Sequence, residues 1–244
     1  MKISVVIPVY NEKNTLEDLL RRIARVPIPK QVVLVDDAST DGTRDRLKRL
    51  EADFRERGPE ALGLSEPVAP LEILFEYLPV NLGKGAAVRR GFALTRGEVV
   101  LVQDADLEYD PADYPALVAP IAEGRADVVY GSRVLGGALG NAYRANYLGN
   151  RFLTFLSNRF TGLGLTDMET CYKVMKGEIA RGLRLESERF GFDPEITARI
   201  ARGRWRVVEV PVRYRGRSYA EGKKIRWYDG LVVVRAILRY AFRD

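Results

Sequence analysis

A short apolar run that ends in acidic residues, Val99-Val-Leu-Val-Gln-Asp-Ala-Asp-Leu-Glu108, carries the pattern that decides the fold. Its first four residues are Val or Leu without polar alternation, which is typical of a strand buried on both faces of a parallel sheet. A second such run, Val32–Val35, ends in Asp36-Asp37. Since ligands bind at the carboxyl ends of strands in such sheets, we expect the two acidic strand ends to share a site.

The same alternation of apolar runs and helical patterns extends outward from this stretch. Interleaved strands and helices indicate βαβ units, so we predict an α/β fold with a mostly parallel sheet flanked by helices. The second part of the chain is less regular and predicts a smaller, mixed region. The predicted strands are Ile3–Val9, Val32–Val35, Leu71–Tyr77, Val99–Val102, Val128–Tyr130, Thr170–Met175 and Val207–Tyr214, and the predicted helices are Thr15–Val26, Thr43–Phe54, Gly85–Leu94, Ala112–Glu123, Tyr147–Phe160, Pro194–Ala201 and Trp227–Phe242.

The composition excludes several classes of chemistry. The chain has 244 residues, no His and a single Cys, Cys171. Imidazole catalysis, His zinc sites, intrachain disulfides and Cys-rich metal clusters are therefore excluded. Any chemistry must use carboxylates, Lys, Arg, Tyr, the backbone or a metal bound by oxygen.

The net charge of +6 is unevenly distributed. Residues 1–139 hold 18 Lys and Arg against 22 Asp and Glu, and residues 140–244 hold 21 against 11. A basic half suits an anionic partner such as phosphates or a membrane surface, or it is a solvated Arg-rich surface. The acidic first half argues against extensive contact with nucleic acid.

No break in composition divides the chain, so we predict one domain over residues 1–244. No signal peptide and no membrane-spanning segment is evident. These features predict a cytoplasmic protein, or one associated with the cytoplasmic face of the membrane. The sequence carries no signal for the oligomeric state.

The acidic strand ends suggest a metal and a nucleoside. Asp104, Asp106 and Glu108 alternate along the chain, and hard cations such as Mg²⁺ or Mn²⁺ prefer oxygen ligands of this kind. An acidic turn that precedes a helix is the alternative interpretation. Asp36 and Asp37 could bond ribose hydroxyls or a base, or could cap the next helix.

Cations follow other predicted strands. Lys84 lies in a glycine-bearing turn before a helix, which suits either anion binding or simple tight-turn geometry. Arg133 follows the fifth strand, where a guanidinium can bind phosphate in bidentate fashion. Further cations lie at Arg144, Arg213, Arg215, Arg217, Lys223 and Lys224. A nucleoside diphosphate bound with a divalent cation satisfies all these features together.

These motifs together resemble family-2 glycosyltransferases of the GT-A fold. The resemblance covers nearly the whole chain, and it is closest to the polyprenyl-phosphate (dolichyl-phosphate) mannose and glucose synthases. Asn81–Arg89 and Asp167–Lys173 resemble the motifs of the glucose synthases more than those of the mannose synthases. The motifs that carry the resemblance are Pro8–Glu12, Asp36-Asp37, Asn81–Arg90, Asp104–Asp106, Gly131–Arg133 and Phe190–Asp193.

The resemblance implies roles for individual residues. The nucleotide-sugar would contact Pro8, Tyr10, Glu12, Asp36, Lys84, Asp104, Ala105, Arg213, Arg215 and Lys223. Asp104, Asp106 and Glu108 would hold Mg²⁺ or Mn²⁺, and Arg133 and Arg144 would bind the acceptor phosphate. The catalytic residues would be Asp104, Asp106, Arg133 and Asp193. The family's loop often ends Gly-x-Ser-Lys; here the basic loop 215–224 has Tyr219 at the last of these positions, and Lys223 or Lys224 would replace the cation.

The implied reaction is inverting transfer of a hexose from a UDP-glucose or GDP-mannose type donor to a polyprenyl phosphate. The phosphate is already anionic, so this acceptor requires no base. A sugar hydroxyl acceptor, as in cell-surface polysaccharide synthesis, would need one, and Asp193, Glu169 and Glu195 are the candidates. More distant alternatives are a phosphatase-like hydrolase and a module that binds anionic ligands without turnover.

A lipid-linked acceptor implies peripheral contact with a membrane. The Phe- and Leu-rich helix Tyr147–Phe160 and the basic amphipathic helix at the C-terminus could supply it. The C-terminal helix could instead pack on the core and expose its Arg-bearing face to solvent.

Overall fold

The computed structural model describes residues 1–137, 144–189, 191–217 and 229–242, except for the side chains of 144–146 and 229. Predicted residues Lys223, Lys224 and Tyr219, the end of the basic loop and the start of the last helix therefore lie outside the described residues, as does Phe190. The side chain of Arg144 is not described either.

Seven strands and eight α-helices are assigned within these residues. The strands are β1 (Ile3–Val9), β2 (Lys30–Asp36), β3 (Leu71–Tyr77), β4 (Val99–Val102), β5 (Val128–Ser132), β6 (Lys173–Lys176) and β7 (Val207–Pro211). The helices are α1 (Leu16–Arg25), α2 (Thr43–Arg57), α3 (Lys84–Leu94), α4 (Tyr114–Ala122), α5 (Arg144–Thr161), α6 (Gly177–Gly182), α7 (Phe192–Arg202) and α8 (Asp229–Phe242). The predicted α/β architecture is confirmed.

All seven strands form one sheet in the order β3-β2-β1-β4-β6-β5-β7. The neighbouring strands pair in parallel except at β6, which pairs antiparallel with both β4 and β5. The side chains of β1, β2, β4 and β5 are almost completely buried. This burial explains their unbroken runs of Val, Ile and Leu.

The reversed strand decides what reaches the site. Because β1, β2, β4 and β5 are parallel, their carboxyl ends lie on one edge of the sheet. β6 runs the other way, so its beginning lies on that edge and brings residues 167–172 beside the strand ends. The predicted strand Thr170–Met175 was therefore placed too early, since pairing begins at Lys173.

Several other predicted boundaries differ, and two of them lie near the site. The predicted helix Ala112–Glu123 starts with a 3₁₀ turn, Pro111–Asp113, before α4. The predicted strand Val207–Tyr214 ends at Pro211, because beyond it only Tyr214 pairs, in an isolated antiparallel bridge to Tyr109. That bridge ties the beginning of the basic loop to the segment that follows β4.

Candidate functional site

The loop after β1 forms one wall of the site. Pro8 is partly buried within β1, Tyr10 keeps 38% of its surface exposed, and Glu12 is 9% exposed. The Thr15 hydroxyl lies 3.0 Å from Glu12 Oε2 and 2.7 Å from the carbonyl oxygen of Ala105, to which it can donate. This contact fixes the β1 loop against the acidic segment after β4, where Ala105 itself is buried.

The two acids after β2 are both anchored inside the protein. Asp36 is fully buried, and its carboxylate accepts hydrogen bonds from Arg44 Nε at 2.6 Å and from the Ser39 amide at 3.3 Å. Asp37 accepts from the Leu82 and Gly83 amides at 2.8 and 2.7 Å. Burial raises the pKa of Asp37 above its ordinary value despite these donors. Asp37 thus orients the turn that leads to α3, a role not assigned to it in the sequence analysis.

The glycines of that turn serve close packing. Gly83 has a φ of +101°, and a Cβ on Gly85 would lie 2.1 Å from the carbonyl oxygen of Ser187. The Gly83 amide is bonded to Asp37, and the Ala86 amide donates to the Glu188 carbonyl. These amides are occupied by the protein, which favours the tight-turn interpretation of this segment.

Lys84, the first residue of α3, reaches the end of β4. Its Nζ lies 2.8 Å from Asp104 Oδ1. Burial alone would favour the neutral amine, but the Asp104 carboxylate raises the pKa of Lys84. Likewise burial would favour protonated Asp104, and Lys84 instead holds the pKa of Asp104 below its ordinary value. The structure therefore joins a predicted donor-binding lysine to a predicted metal ligand.

Arg217 lies among the remaining acids. Its guanidinium is 2.9 Å from Asp106 Oδ2, 3.2 Å from Glu12 Oε2 and 3.5 Å from Glu108 Oε1. Burial, with repulsion from Asp104 and Glu108, raises the pKa of Asp106 to about 7. We call Glu12, Asp104, Asp106 and Glu108 the acidic cluster.

The segment that carries Arg217 is fixed to the acidic cluster by Glu108. The Tyr214 hydroxyl donates to Glu108 Oε2 at 2.8 Å, and the Arg217 amide donates to Oε1 at 2.8 Å. The Arg215 amide donates to the Glu108 carbonyl at 2.8 Å, while its side chain is exposed. Arg213 points elsewhere: it is 60% exposed and pairs with Asp113 at 2.8 Å. The roles predicted for Arg213 and Arg215 toward the donor remain predictions.

Arg133, which is a predicted acceptor residue, forms a buried pair with Asp167. Arg133 Nε and Nη2 each lie 2.7 Å from one Asp167 oxygen, and the Arg133 amide donates to the same carboxylate at 3.0 Å. The Asp167 side chain is fully buried, and Asn150 also donates to it at 2.9 Å. Nη1 of Arg133 makes no hydrogen bond to any described residue, so it is the guanidinium nitrogen left for a ligand.

A second charged pair lies nearby. Lys173 is fully buried, and its Nζ lies 2.5 Å from Asp193 Oδ1. Glu169 follows Asp167 on the same segment, and its Oε1 is buried with no hydrogen-bond partner among the described residues. Burial, followed by repulsion from Asp193, raises the pKa of Glu169 to about 8.

Glu195, the third candidate base, has a structural role. It is completely buried and accepts hydrogen bonds from the Glu186 and Ser187 amides and from Arg199. Both oxygens of Glu195 therefore already accept hydrogen bonds from other residues of the protein.

The acidic cluster fits a magnesium or manganese ion by its chemistry. Its ligands are all carboxylates, and Mg²⁺ is commonly bound by one or two carboxylates together with substrate phosphates. Within the described residues, however, no three acidic side chains converge as a ready-made metal site. The Arg217 guanidinium donates to Asp106 and Glu12, and Lys84 pairs with Asp104.

The structure thus brings most predicted residues to one edge of the sheet but gives them partners that the sequence did not reveal. Arg217, Asp167 and Lys173 form ion pairs with predicted site residues, and Asp37 accepts hydrogen bonds from the Leu82 and Gly83 amides. The sequence named Asp37 and Arg217 only as candidates and gave Asp167 and Lys173 no role of their own. Arg217 stands within the predicted basic loop, and Asp37 stands beside Asp36, so both had a local signal. Lys173 and Asp167 had none beyond their motif.

Comparison with known proteins identifies the family of the chain. Residues 4–184 match the protein family described as Glycosyl transferase family 2. The chain is 32% identical to an undecaprenyl-phosphate mannosyltransferase of Micrococcus luteus, over 96% of this chain and 92% of that protein. It is also 32% identical to a dolichol-phosphate mannosyltransferase of Pyrococcus furiosus, over 93% of this chain, but spans only 62% of that protein's length.

Solved structures share the fold. Glucosyl-3-phosphoglycerate synthase from Mycobacterium tuberculosis, crystallised with Mn²⁺, UDP and phosphoglyceric acid, superposes with a TM-score of 0.68 and 21% identity. The superposition covers 99% of this chain and 78% of that one. The predicted GT-A architecture is confirmed.

Proposed function

The chain belongs to glycosyl transferase family 2, and from this premise we propose that it transfers a hexose from a nucleoside-diphosphate sugar to a polyprenyl phosphate, with inversion. The observation that carries the proposal is its similarity, over nearly its full length, to the undecaprenyl-phosphate mannosyltransferase of M. luteus. The acidic cluster and Arg133 lie at the same edge of the sheet, as such a transfer requires. The donor would be of the UDP-glucose or GDP-mannose type.

The donor side of the site would hold the nucleoside and the diphosphate. Tyr10, which is 38% exposed, would contact the base or the ribose. Asp104, Asp106 and Glu108 would hold Mg²⁺ or Mn²⁺. When bound, the ion would neutralise charge on the leaving diphosphate. Lys84 holds Asp104 in its ionised form, which is the form that binds a cation.

On the acceptor side, the protein would orient a nucleophile that needs no activation. A phosphate monoester is already anionic near neutral pH, so no proton has to be removed. Arg133 would present Nη1 to the phosphate while Asp167 fixes the plane of the guanidinium through the other two nitrogens. The second predicted acceptor residue, Arg144, lies at the start of α5, four residues before the exposed Leu148.

A sugar hydroxyl is the second candidate acceptor, and Glu169 favours it. A general base works best with a pKa near the working pH. Glu169 has such a pKa, about 8, and a buried oxygen without a partner among the described residues. A hydroxyl acceptor would make activity depend on ionised Glu169, whereas a phosphate acceptor would not.

The exposed apolar surface of α5 and α8 suits a lipid acceptor. It comprises Leu148, Phe152, Phe155, Leu231, Leu238 and Phe242, each at least 43% exposed. The two helices meet where the Phe160 and Phe242 rings lie 5.6 Å apart. Beside this contact, a cleft of about 150 Å³ between α5, α7 and α8 is lined by Phe160, Ala198 and Ile237, among others.

We propose that this surface contacts the membrane that holds the acceptor. The exposed arginines Arg151, Arg235 and Arg239 suit an anionic interface. Among the described residues, no helix is both long and apolar enough to cross a bilayer. Phe155→Ser should reduce sedimentation with anionic vesicles, and unchanged sedimentation would contradict the contact.

The decisive assay offers the purified protein UDP- and GDP-sugars with undecaprenyl phosphate and Mn²⁺ or Mg²⁺. Sugar-lipid product and nucleotide release are measured, and Asp104→Asn is compared with Asp18→Asn, a change of equal charge at an exposed position of α1. We expect product from at least one donor, loss of it in the first variant only, and dependence on the metal. No product with any donor would contradict the proposed transfer, and product only with a sugar hydroxyl acceptor would favour the second candidate.

A further inference from the structure

Arg217 occupies the centre of the acidic cluster. Its side chain is only 16% exposed, and its guanidinium contacts carboxylates from the β1 loop and from the segment after β4. Its Nε is buried and has no hydrogen-bond partner among the described residues, and the oxygen at 3.5 Å, Glu108 Oε1, is too far for a good bond. The guanidinium is therefore held by several acids together, and no single acid satisfies all of its N–H donors.

Among the described residues, the acids of the site outnumber the cations that contact them. The acidic cluster contributes four carboxylates, and the cations in direct contact with it among the described residues are Lys84 and Arg217. Arg217 is therefore shared among several acids rather than paired with a single one.

We propose that Arg217 is a resident cation that competes with the divalent metal for Asp106, so that metal binding is weak until a diphosphate draws the guanidinium away. The inference rests on the proposed function, because it takes the acidic cluster as the metal site. Carboxylate oxygens bind Mg²⁺ at about 2.1 Å and would have to turn away from a guanidinium now 2.9 Å distant. Metal and guanidinium thus exclude each other from the same oxygens.

A diphosphate resolves this competition. Diphosphate oxygens match the planar fork of N–H donors on an arginine and can bind it in bidentate fashion. The same diphosphate also offers oxygen ligands to the metal. When diphosphate binding removes Arg217 from the acids, it strengthens metal binding, and by linkage the metal strengthens nucleotide binding by the same factor. Arg217 is therefore a positioning residue that makes metal and donor bind together.

The test measures Mn²⁺ binding to the full chain by electron paramagnetic resonance of the free ion, with and without UDP and GDP. Arg217→Gln is compared with wild type and with Arg206→Gln. Arg206 is a matched control, because it also pairs with a carboxylate, Asp127, but lies away from the cluster. Thermal unfolding confirms that both variants are folded.

We expect Arg217→Gln to bind Mn²⁺ at least tenfold more tightly than wild type without nucleotide, and to lose most of the gain that the nucleotide gives. Arg206→Gln should match wild type in both measurements. An unchanged or weaker Mn²⁺ affinity in folded Arg217→Gln would overturn the inference, as would a lack of Mn²⁺ binding in every variant. If the Mn²⁺ affinities shift as expected but no sugar is transferred, the proposed function fails while the competition stands.

Discussion

The Arg133–Asp167 pair offers a measurable test of how the acceptor side is built. Both side chains are largely enclosed, Arg133 at 13% and Asp167 at 0% exposure. We consider Arg133→Ala, Asp167→Asn and the double variant, because a double-mutant cycle isolates the energy of the pair from the effects of each side chain.

The magnitude follows from the contacts. Removing one partner of a buried ion pair costs about 3–5 kcal/mol. In Arg133→Ala the carboxylate of Asp167 keeps the backbone amide at 3.0 Å and Asn150 at 2.9 Å. We therefore expect the lower end, about 3 kcal/mol, which for a chain of this length lowers Tm by roughly 6–12 °C. The coupling energy should be about 2 kcal/mol, since the double variant leaves no ion uncompensated.

Urea unfolding followed by circular dichroism measures each free energy of unfolding. Arg206 and Asp127 form the control pair, because they are also bidentate but Arg206 is 55% exposed. An exposed pair contributes about 0–1 kcal/mol. A coupling below about 0.5 kcal/mol for Arg133–Asp167, or one equal to the control, would refute the reasoning that burial makes this pair strong.

Three further predictions concern packing and titration. Gly85→Ala places a Cβ 2.1 Å from the Ser187 carbonyl oxygen, so it should destabilise the fold by about 1–3 kcal/mol in urea unfolding; a neutral result would mean that the contact relaxes freely. Burial lowers the pKa of Lys30 to about 8, so its charge costs stability at pH 7, and wild type should gain stability as pH rises from 8 to 10.5. Lys30→Met also loses the hydrogen bonds from Nζ to the Ala24 and Val26 carbonyls, so the test is the pH dependence of its stability relative to wild type. That difference should shift in favour of wild type by about 1–3 kcal/mol as pH rises from 8 to 10.5, and a difference that does not vary with pH would contradict this. Burial and Asp193 raise the pKa of Glu169 to about 8. The stability of wild type relative to Glu169→Gln should therefore fall by about 1–2 kcal/mol as pH rises from about 4.5 to 8. An equal difference in the free energy of unfolding at both pH values would count against this prediction.

Most of the fold was predictable because a buried strand is recognisable in its own sequence as an unbroken run of apolar residues. β1, β3 and β4 begin and end where their apolar runs predict. β6 was placed less well, since its four residues are shared between two antiparallel partners and carry no distinctive period. Its reversed direction depends on which strands it joins, and that information is not local.

In the site, too, some features were predictable from the sequence and others were not. Asp104, Asp106 and Glu108 were identifiable because acids that directly follow a buried strand fall at the binding edge of a parallel sheet. The partners of these acids were not identifiable. Arg217 meets Glu12 across 205 positions of the chain, and Lys84 meets Asp104 across 20.

The sequence by itself determined the α/β class, the chemistry open to a chain without histidine, and the edge of the sheet at which acids and cations gather. These properties follow from composition and from the period of buried strands, which each segment expresses on its own. Only the tertiary structure decided which charges neutralise each other: Arg217 with the acidic cluster, Arg133 with Asp167, and Lys173 with Asp193. Such pairs form because burial makes an uncompensated charge costly, and which opposite charge lies within reach is set by how the strands and loops are arranged in space.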